Sequence, residues 1–192
     1  MSKIAQKTDK ELVILSLEDP DNFYHLMKRY EDKLLRYILR ISSVNKPLAE
    51  DILQEVFIKT YKNLNDFDDS FAFSTWIYRI TRNEVIDQSR KDNSRPKTLN
   101  IDDDEAKDFI EILPDSINLE KEYKQKELSE KVRLIIDQIP EKYREVLILY
   151  YLEDQDYESI SDILEKPIGT IGTLLSRAKN QFKQMALNQP LS

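Results

Sequence analysis

The chain has 192 residues, 40% of them hydrophobic and 34% charged, with a formal net charge of −7. That length suits one ordinary domain or two small ones, and no apolar run approaches the ~18 residues of a membrane span. The lack of cysteine excludes disulfides and thiolate metal sites, one histidine (His25) excludes a multi-histidine centre, and two glycines (Gly169, Gly172) exclude the usual Gly-rich phosphate loops.

Helical periodicity runs through most of the chain and strand alternation is nearly absent. The apolar stretch near the start is too short for a signal peptide and breaks into acids, which with the missing cysteines suits a reducing cytoplasm. Asp9 to Glu18 reads as a short helix ending before Pro20. Asp21 to Ser42 carries a stripe of Phe23, Leu26, Met27, Tyr30, Leu34, Tyr37, Ile38 and Ile41. A third helix starts at Pro47 and runs to about Leu64, with Ile52, Val56, Phe57, Thr60 and Tyr61 inward. Asn65 to Ser70 is rich in turn formers. Phe71 to Lys91 then makes a long helix with Ser74 as the expected N-cap. Its apolar side is Phe73, Trp76, Ile77 and Ile80, and Arg79, Arg82, Asn83 and Arg90 gather on another face. These four helices make a compact all-α domain over 1–92.

Residues 93–124 change character. Ser94-Arg95-Pro96 breaks the helix and Asp102 to Glu105 is a block of like charge, so a flexible acidic linker is expected, with at most a transient helix near Ala106 to Ile112. A calcium reading of the acids lacks the turn glycine. From Gln125 the rhythm returns, with Leu128, Val132, Ile135, Ile136 and Ile139 stopping at Pro140. Glu141 to Leu152 turns Tyr143, Val146, Leu147 and Tyr150 inward. Asp156 to Leu164 and Thr170 to Leu187 follow, joined through Glu165-Lys166-Pro167-Ile168-Gly169. A short helix, a short Gly-containing turn and a longer helix match a helix-turn-helix, so 125–192 is expected to be a second small helical domain. Splitting the charge gives net −1 for residues 1–92, −4 for 93–124 and −2 for 125–192. Neither flank is basic enough to bind DNA tightly unaided.

Two surfaces carry chemistry. The last long helix leaves Gly172, Thr173, Ser176, Arg177, Lys179, Asn180 and Lys183 outside, mostly side chains that touch phosphates and base edges. Glu50, Asp51, Gln54 and Glu55 form a compact acidic-amide patch off the apolar stripe of the third helix. Paired carboxylates can serve acid–base catalysis. With no nucleophile constellation beside them, a basic partner protein is the favoured reading and an enzyme is not expected. A conventional helix-turn-helix regulator that binds an operator alone accounts for the tail but leaves this patch unexplained.

Leu48 to Phe57, then Phe73-Ser74-Thr75-Trp76-Ile77-Tyr78-Arg79-Ile80 with Asn83, Ile86, Asp87 and Arg90, resembles the promoter-opening domain of bacterial sigma factors. Ile139 to Leu147, Gly169-Thr170-Ile171 and Ser176-Arg177-Ala178 resemble their C-terminal domain. Both together, in order and joined by a linker, resemble the extracytoplasmic-function (ECF) group of the sigma-70 family, over roughly 10–92 and 125–187. The resemblance implies that Asp51, Gln54 and Glu55 bind a coiled coil of the largest subunit of core RNA polymerase. It implies that Phe71 to Lys91 reads and melts the −10 element through Trp76, Arg79, Arg82, Asn83, Arg90 and Lys91, with the Asn65 to Ser70 loop helping to capture an unstacked base. Trp76 is the obvious stacking candidate, although its place on the apolar stripe favours a core role. The −35 element falls to Thr170, Thr173, Ser176, Arg177, Lys179 and Lys183. Gly172-Thr173-Leu174 departs from the basic continuation common in the family. Promoter DNA, core polymerase and an anti-sigma factor are the implied partners, with no cofactor, no metal and no membrane insertion.

Overall fold

The computed structural model describes residues 6–42, 44–92, 109 and 125–188. The chain divides into two compact units, 1–95 and 96–192. In the first unit α1 (Asp9–Glu18) opens with a capping box. The Thr8 hydroxyl accepts from the Glu11 N–H at 3.3 Å, and the Glu11 carboxylate accepts from the Thr8 N–H at 2.7 Å. A 3-10 turn over Pro20–Asn22 leads into α2 (Phe23–Ile41), so α2 starts at the first residue of its stripe, two residues after the expected start at Asp21. Asp9 ties the two helices together, accepting from Arg29 at 2.5 Å and from the Tyr30 hydroxyl at 2.5 Å. Burial, together with that bond, pushes the Tyr30 hydroxyl far above its ordinary pKa, so it stays a donor.

Helix α3 (Lys46–Lys62) is capped by Asn45, whose side chain accepts from the Leu48 N–H at 3.1 Å. Ala49, Ile52, Leu53, Val56, Phe57 and Thr60 are buried. Tyr61, expected inward, is 42% exposed: its ring leans on Phe23 at 5.2 Å while Leu53 fills the interior. Helix α4 (Phe73–Asp92) packs mainly on α3 and also on α2. Ser74 is not its cap, because the helix already includes Phe73 and the Trp76 N–H donates to the Ala72 carbonyl at 3.3 Å. Buried hydroxyls are satisfied inside their own helices, Thr60 on the Val56 carbonyl at 2.7 Å and Thr81 on that of Ile77 at 2.8 Å. Glu84 is buried and paired with Lys59 across α3 and α4; that hydrogen bond raises the Lys59 ammonium above its ordinary pKa.

The second unit contains α5 (Gln125–Gln138), α6 (Glu141–Leu147), α7 (Tyr157–Leu164) and α8 (Ile168–Asn188). The Leu128 side chain and the expected linker, apart from Phe109, lie outside the described residues. Arg144 clasps the end of α5, donating to the Asp137 and Ile139 carbonyls at 3.1 and 3.2 Å. After Leu147 the helix widens into a π-turn, Ile148–Leu152, closed by the Glu153 N–H on the Ile148 carbonyl at 3.1 Å. Phe109, in the stretch read as a linker, is helical and fully buried, because an aromatic ring gains more from the core than a solvated connection costs.

Asp156 caps α7, accepting from the Ser159 N–H at 2.8 Å. The turn to α8 is closed by the Lys166 N–H on the Ser161 carbonyl at 3.0 Å and the Ser161 hydroxyl on the Lys166 carbonyl at 2.6 Å. Its left-handed residue is Glu165 (φ 52°, ψ 47°), not a glycine; Gly169 lies within α8 and neither glycine has a positive φ. An L residue in that region costs about 1–2 kcal/mol. Glu165→Gly is therefore expected to raise stability by about 0.5–1 kcal/mol after the glycine's extra unfolded-state entropy, read as a higher thermal midpoint. A lower midpoint would mean that the Glu165 side chain contributes more than its backbone costs.

Candidate polymerase and promoter surfaces

The first surface is the outward side of α3. Asp51, Gln54 and Glu55 are all exposed, and at about 100° per residue they share one face with Ile58, 43% exposed, and Tyr61. Glu50 sits beside them with Lys46 at 3.8 Å, an exposed pair of little energetic weight. The strip thus runs from an acidic-amide half into an apolar half. Sequence reading missed Ile58, although its helical angle aligns it with Asp51 and Glu55 rather than with Ile52 and Val56.

The second surface is α4 with its preceding loop. Asn83 and Arg90 are exposed, Arg79 and Arg82 half-buried, and the Lys91 side chain lies outside the described residues. Arg90 has Asp87 at 3.6 Å, so part of its charge is already answered. Trp76 is half-buried, with its ring centroid 5.3 Å from Phe67 and 5.7 Å from Phe73. Phe73 touches Phe67 and Tyr30, each at 5.5 Å. The loop has a built shape: Asp68 accepts from the Ser70 N–H at 2.9 Å, its carbonyl takes the Phe71 N–H at 3.2 Å, and Lys10 donates to the Asp69 carbonyl. The bonds from Ser70 hold the Asp68 carboxyl below its ordinary pKa. Phe71 is left 47% exposed at the mouth of α4. It is a freer stacking face than Trp76, and sequence reading did not single it out.

The third surface is the N-terminal half of α8. Thr170, Thr173, Ser176, Arg177 and Asn180 are exposed. The Thr173 hydroxyl donates to the Gly169 carbonyl at 3.0 Å, which leaves its methyl and lone pairs facing out. Lys183 is half-buried. Lys179, read as outward, is also half-buried; its ammonium lies 5.2 Å from the Tyr150 ring centre and 5.3 Å from that of Tyr151. Burial alone would lower its pKa, but contacts with Tyr151, Tyr150 and Tyr157 outweigh that and the net direction is upward. The structure therefore assembles Thr170, Thr173, Ser176 and Arg177 on one face and sets Lys179 to the side.

Residues 26–95 match the family Sigma-70 region 2, and residues 129–182 match Sigma-70, region 4. The ECF RNA polymerase sigma factor SigW of Bacillus subtilis is 33% identical over 171 residues, covering 86% of this chain and 89% of its own. The chain is an ECF sigma factor of the sigma-70 family. It directs promoter-specific initiation of transcription by RNA polymerase. The sigma factor is also 33% identical to the ECF RNA polymerase sigma-E factor of Escherichia coli K12 over 190 residues, 97% of each chain. Two solved structures share the fold. CnrH in complex with the cytosolic domain of CnrY has a TM-score of 0.67 at 17% identity, covering 97% of this sigma factor and 100% of that chain. RpoE in complex with the anti-sigma factor NepR, from Bartonella quintana, has a TM-score of 0.63 at 20% identity, covering 88% and 98%. Among the described residues no helix is long and apolar enough to cross a membrane.

Proposed function

We propose that this sigma factor acts in the cytoplasm as an initiation factor, not a catalyst, through the three surfaces above. The α3 strip, Asp51, Gln54, Glu55, Ile58 and Tyr61, docks on core polymerase. Phe71 and the exposed part of α4, Asn83 and Arg90 with Arg79 and Arg82 beside them, take the −10 element. Thr170, Thr173, Ser176 and Arg177 enter the major groove at −35. The observation that carries this is the packing of α3 on α4, joined by the buried Glu84 paired with the exposed Lys59. It fixes the polymerase face and the −10 face to one rigid body. An anti-sigma protein that covers these faces is the expected regulator.

With a net charge of −7, the free protein neutralises few phosphates, so promoter affinity must come with polymerase. Binding to a promoter fragment is measured with and without core enzyme; tight operator binding by the free chain would replace this reading with a conventional regulator. Base–aromatic stacking is worth about 1–3 kcal/mol per base, so Phe71→Ala should reduce the open complex by roughly tenfold. Permanganate reactivity of unpaired thymines at −10 reads this directly. Unchanged reactivity would remove Phe71 from the site.

A further inference from the structure

Three tyrosines line one flank of α8. Tyr150 and Tyr151 stand on the π-turn with ring centroids 5.0 Å apart, and Tyr157 opens α7 with its ring 5.7 Å from that of Tyr150. At about 100° per residue, Gly172 and Lys179 lie on one row of α8, two turns apart. The tyrosines meet both ends of that row. Tyr157 lies against Gly172, where a Cβ would stand 3.8 Å from its ring. The Lys179 ammonium is 5.2 Å from the Tyr150 ring centre and 5.3 Å from that of Tyr151, a range in which aromatic faces attract a cation. Burial acts to lower the Lys179 pKa, but the tyrosines, Tyr151 first, outweigh it, so the charge that this attraction needs is kept. The row thus ties three elements together: the π-turn, α7 and the helix that carries Thr170, Thr173, Ser176 and Arg177.

We infer that Lys179 is a positioning residue: clamped by Tyr150 and Tyr151, it fixes the angle of α8 against α7 and thereby which −35 base pairs α8 accepts. The inference rests on the −35 reading of α8 above. In this role Lys179 touches no base and no phosphate. A binding constellation works only when its supporting residues hold it within about 0.5 Å and 10–20° of the productive geometry. The exposed face of α8 is unusually dependent on such support. Thr170, Thr173 and Ser176 are short, so a tilt of the helix moves them off the base edges and their own rotamers cannot recover the reach. Gly172 belongs to the same device, because without a side chain it lets the Tyr157 ring settle on α8 beside Tyr150.

The test uses the assembled holoenzyme on a promoter found by start-site mapping, with the −35 element intact or changed at each base pair in turn. Wild type should lose about tenfold at a pair that it reads, the ordinary cost of one mismatch. Lys179→Met keeps the stem and removes the charge, and should cut that discrimination to about threefold or less. Lys179→Arg, which keeps a cation for the rings, should retain it. Tyr150→Phe should also retain it and Tyr150→Leu should lose it. Adding Tyr150→Leu to Lys179→Met should cost nothing further, because each removes the same clamp. None of these variants should change the salt dependence of promoter binding. A phosphate contact gives the opposite pattern: Lys179→Met would weaken every −35 sequence alike and lower the salt slope by about one. That result overturns the inference, and so does unchanged discrimination, whether or not the thermal midpoint falls. If wild type itself is indifferent to every −35 change, the −35 reading of α8 fails, and the inference with it.

Discussion

Replacing Gln54 and Glu55 together with alanine is expected to weaken binding to core polymerase about 30-fold without loosening the fold. Both side chains are exposed on α3, so the substitution removes no internal packing, and such changes move stability by only about ±0.5 kcal/mol. At an interface centre the same groups behave differently, because truncation leaves a desolvated partner unpaired. Hot-spot losses of about 2 kcal/mol or more follow, which is roughly 30-fold in affinity. The two residues are neighbours and their effects should not simply add. Labelled protein titrated with core enzyme measures the affinity, and thermal unfolding measures the fold. Glu50→Ala is the matched control, since its pairing with Lys46 is exposed and worth little. A double variant that binds like wild type would move the docking surface off α3.

Phe73→Ala should do the reverse, destroying the fold that presents the surfaces. Phe73 is 2% exposed, and its ring is in contact range of Tyr30, Phe67 and Trp76. Deleting a buried phenylalanine costs about 3–5 kcal/mol through lost transfer energy and the cavity left behind. Against a typical total of 5–15 kcal/mol, that leaves the N-terminal unit marginal. A domain of this size shifts by about 4–8 °C per kcal/mol, so its midpoint should fall by roughly 15–30 °C. Trp76 is the only tryptophan and sits in the same cluster, so its fluorescence reports the transition directly. Phe71→Ala should melt with the wild type, since Phe71 is 47% exposed. If Phe73→Ala also melts with the wild type, this aromatic cluster is not what holds the loop onto α4.

Much of the fold was legible because it follows from local periodicity. Leu26, Tyr30, Leu34, Tyr37 and Ile38 repeat at helical spacing and are all buried. Pairings between distant residues are what one sequence conceals. Glu84 reads as a surface acid until Lys59 from another helix meets it. Lys179 reads as outward on a regular helix, and only the π-turn over Ile148–Leu152, which no 3.6-residue period reveals, brings Tyr150 and Tyr151 under its ammonium. Tyr61 could equally fill the core or flank it, and Leu53 took the interior. Ser74 has the chemistry of a cap but sits inside a helix that has already begun. Phe109 is a single anchor in an acidic stretch, and composition averages such an anchor away. For the candidate site, the exposed acids of α3 and the outward row of α8 were readable from helical angle. Which aromatic faces out, Phe71 or Trp76, depended on the fold of the loop.

The most direct test of the whole account is start-site mapping with bacterial core polymerase and genomic DNA, in the presence and absence of this protein. The account predicts new, discrete starts that fade when Gln54 and Glu55 are replaced by alanine. With core enzyme shown competent by another sigma factor, no new starts and tight operator binding by the free chain would contradict it.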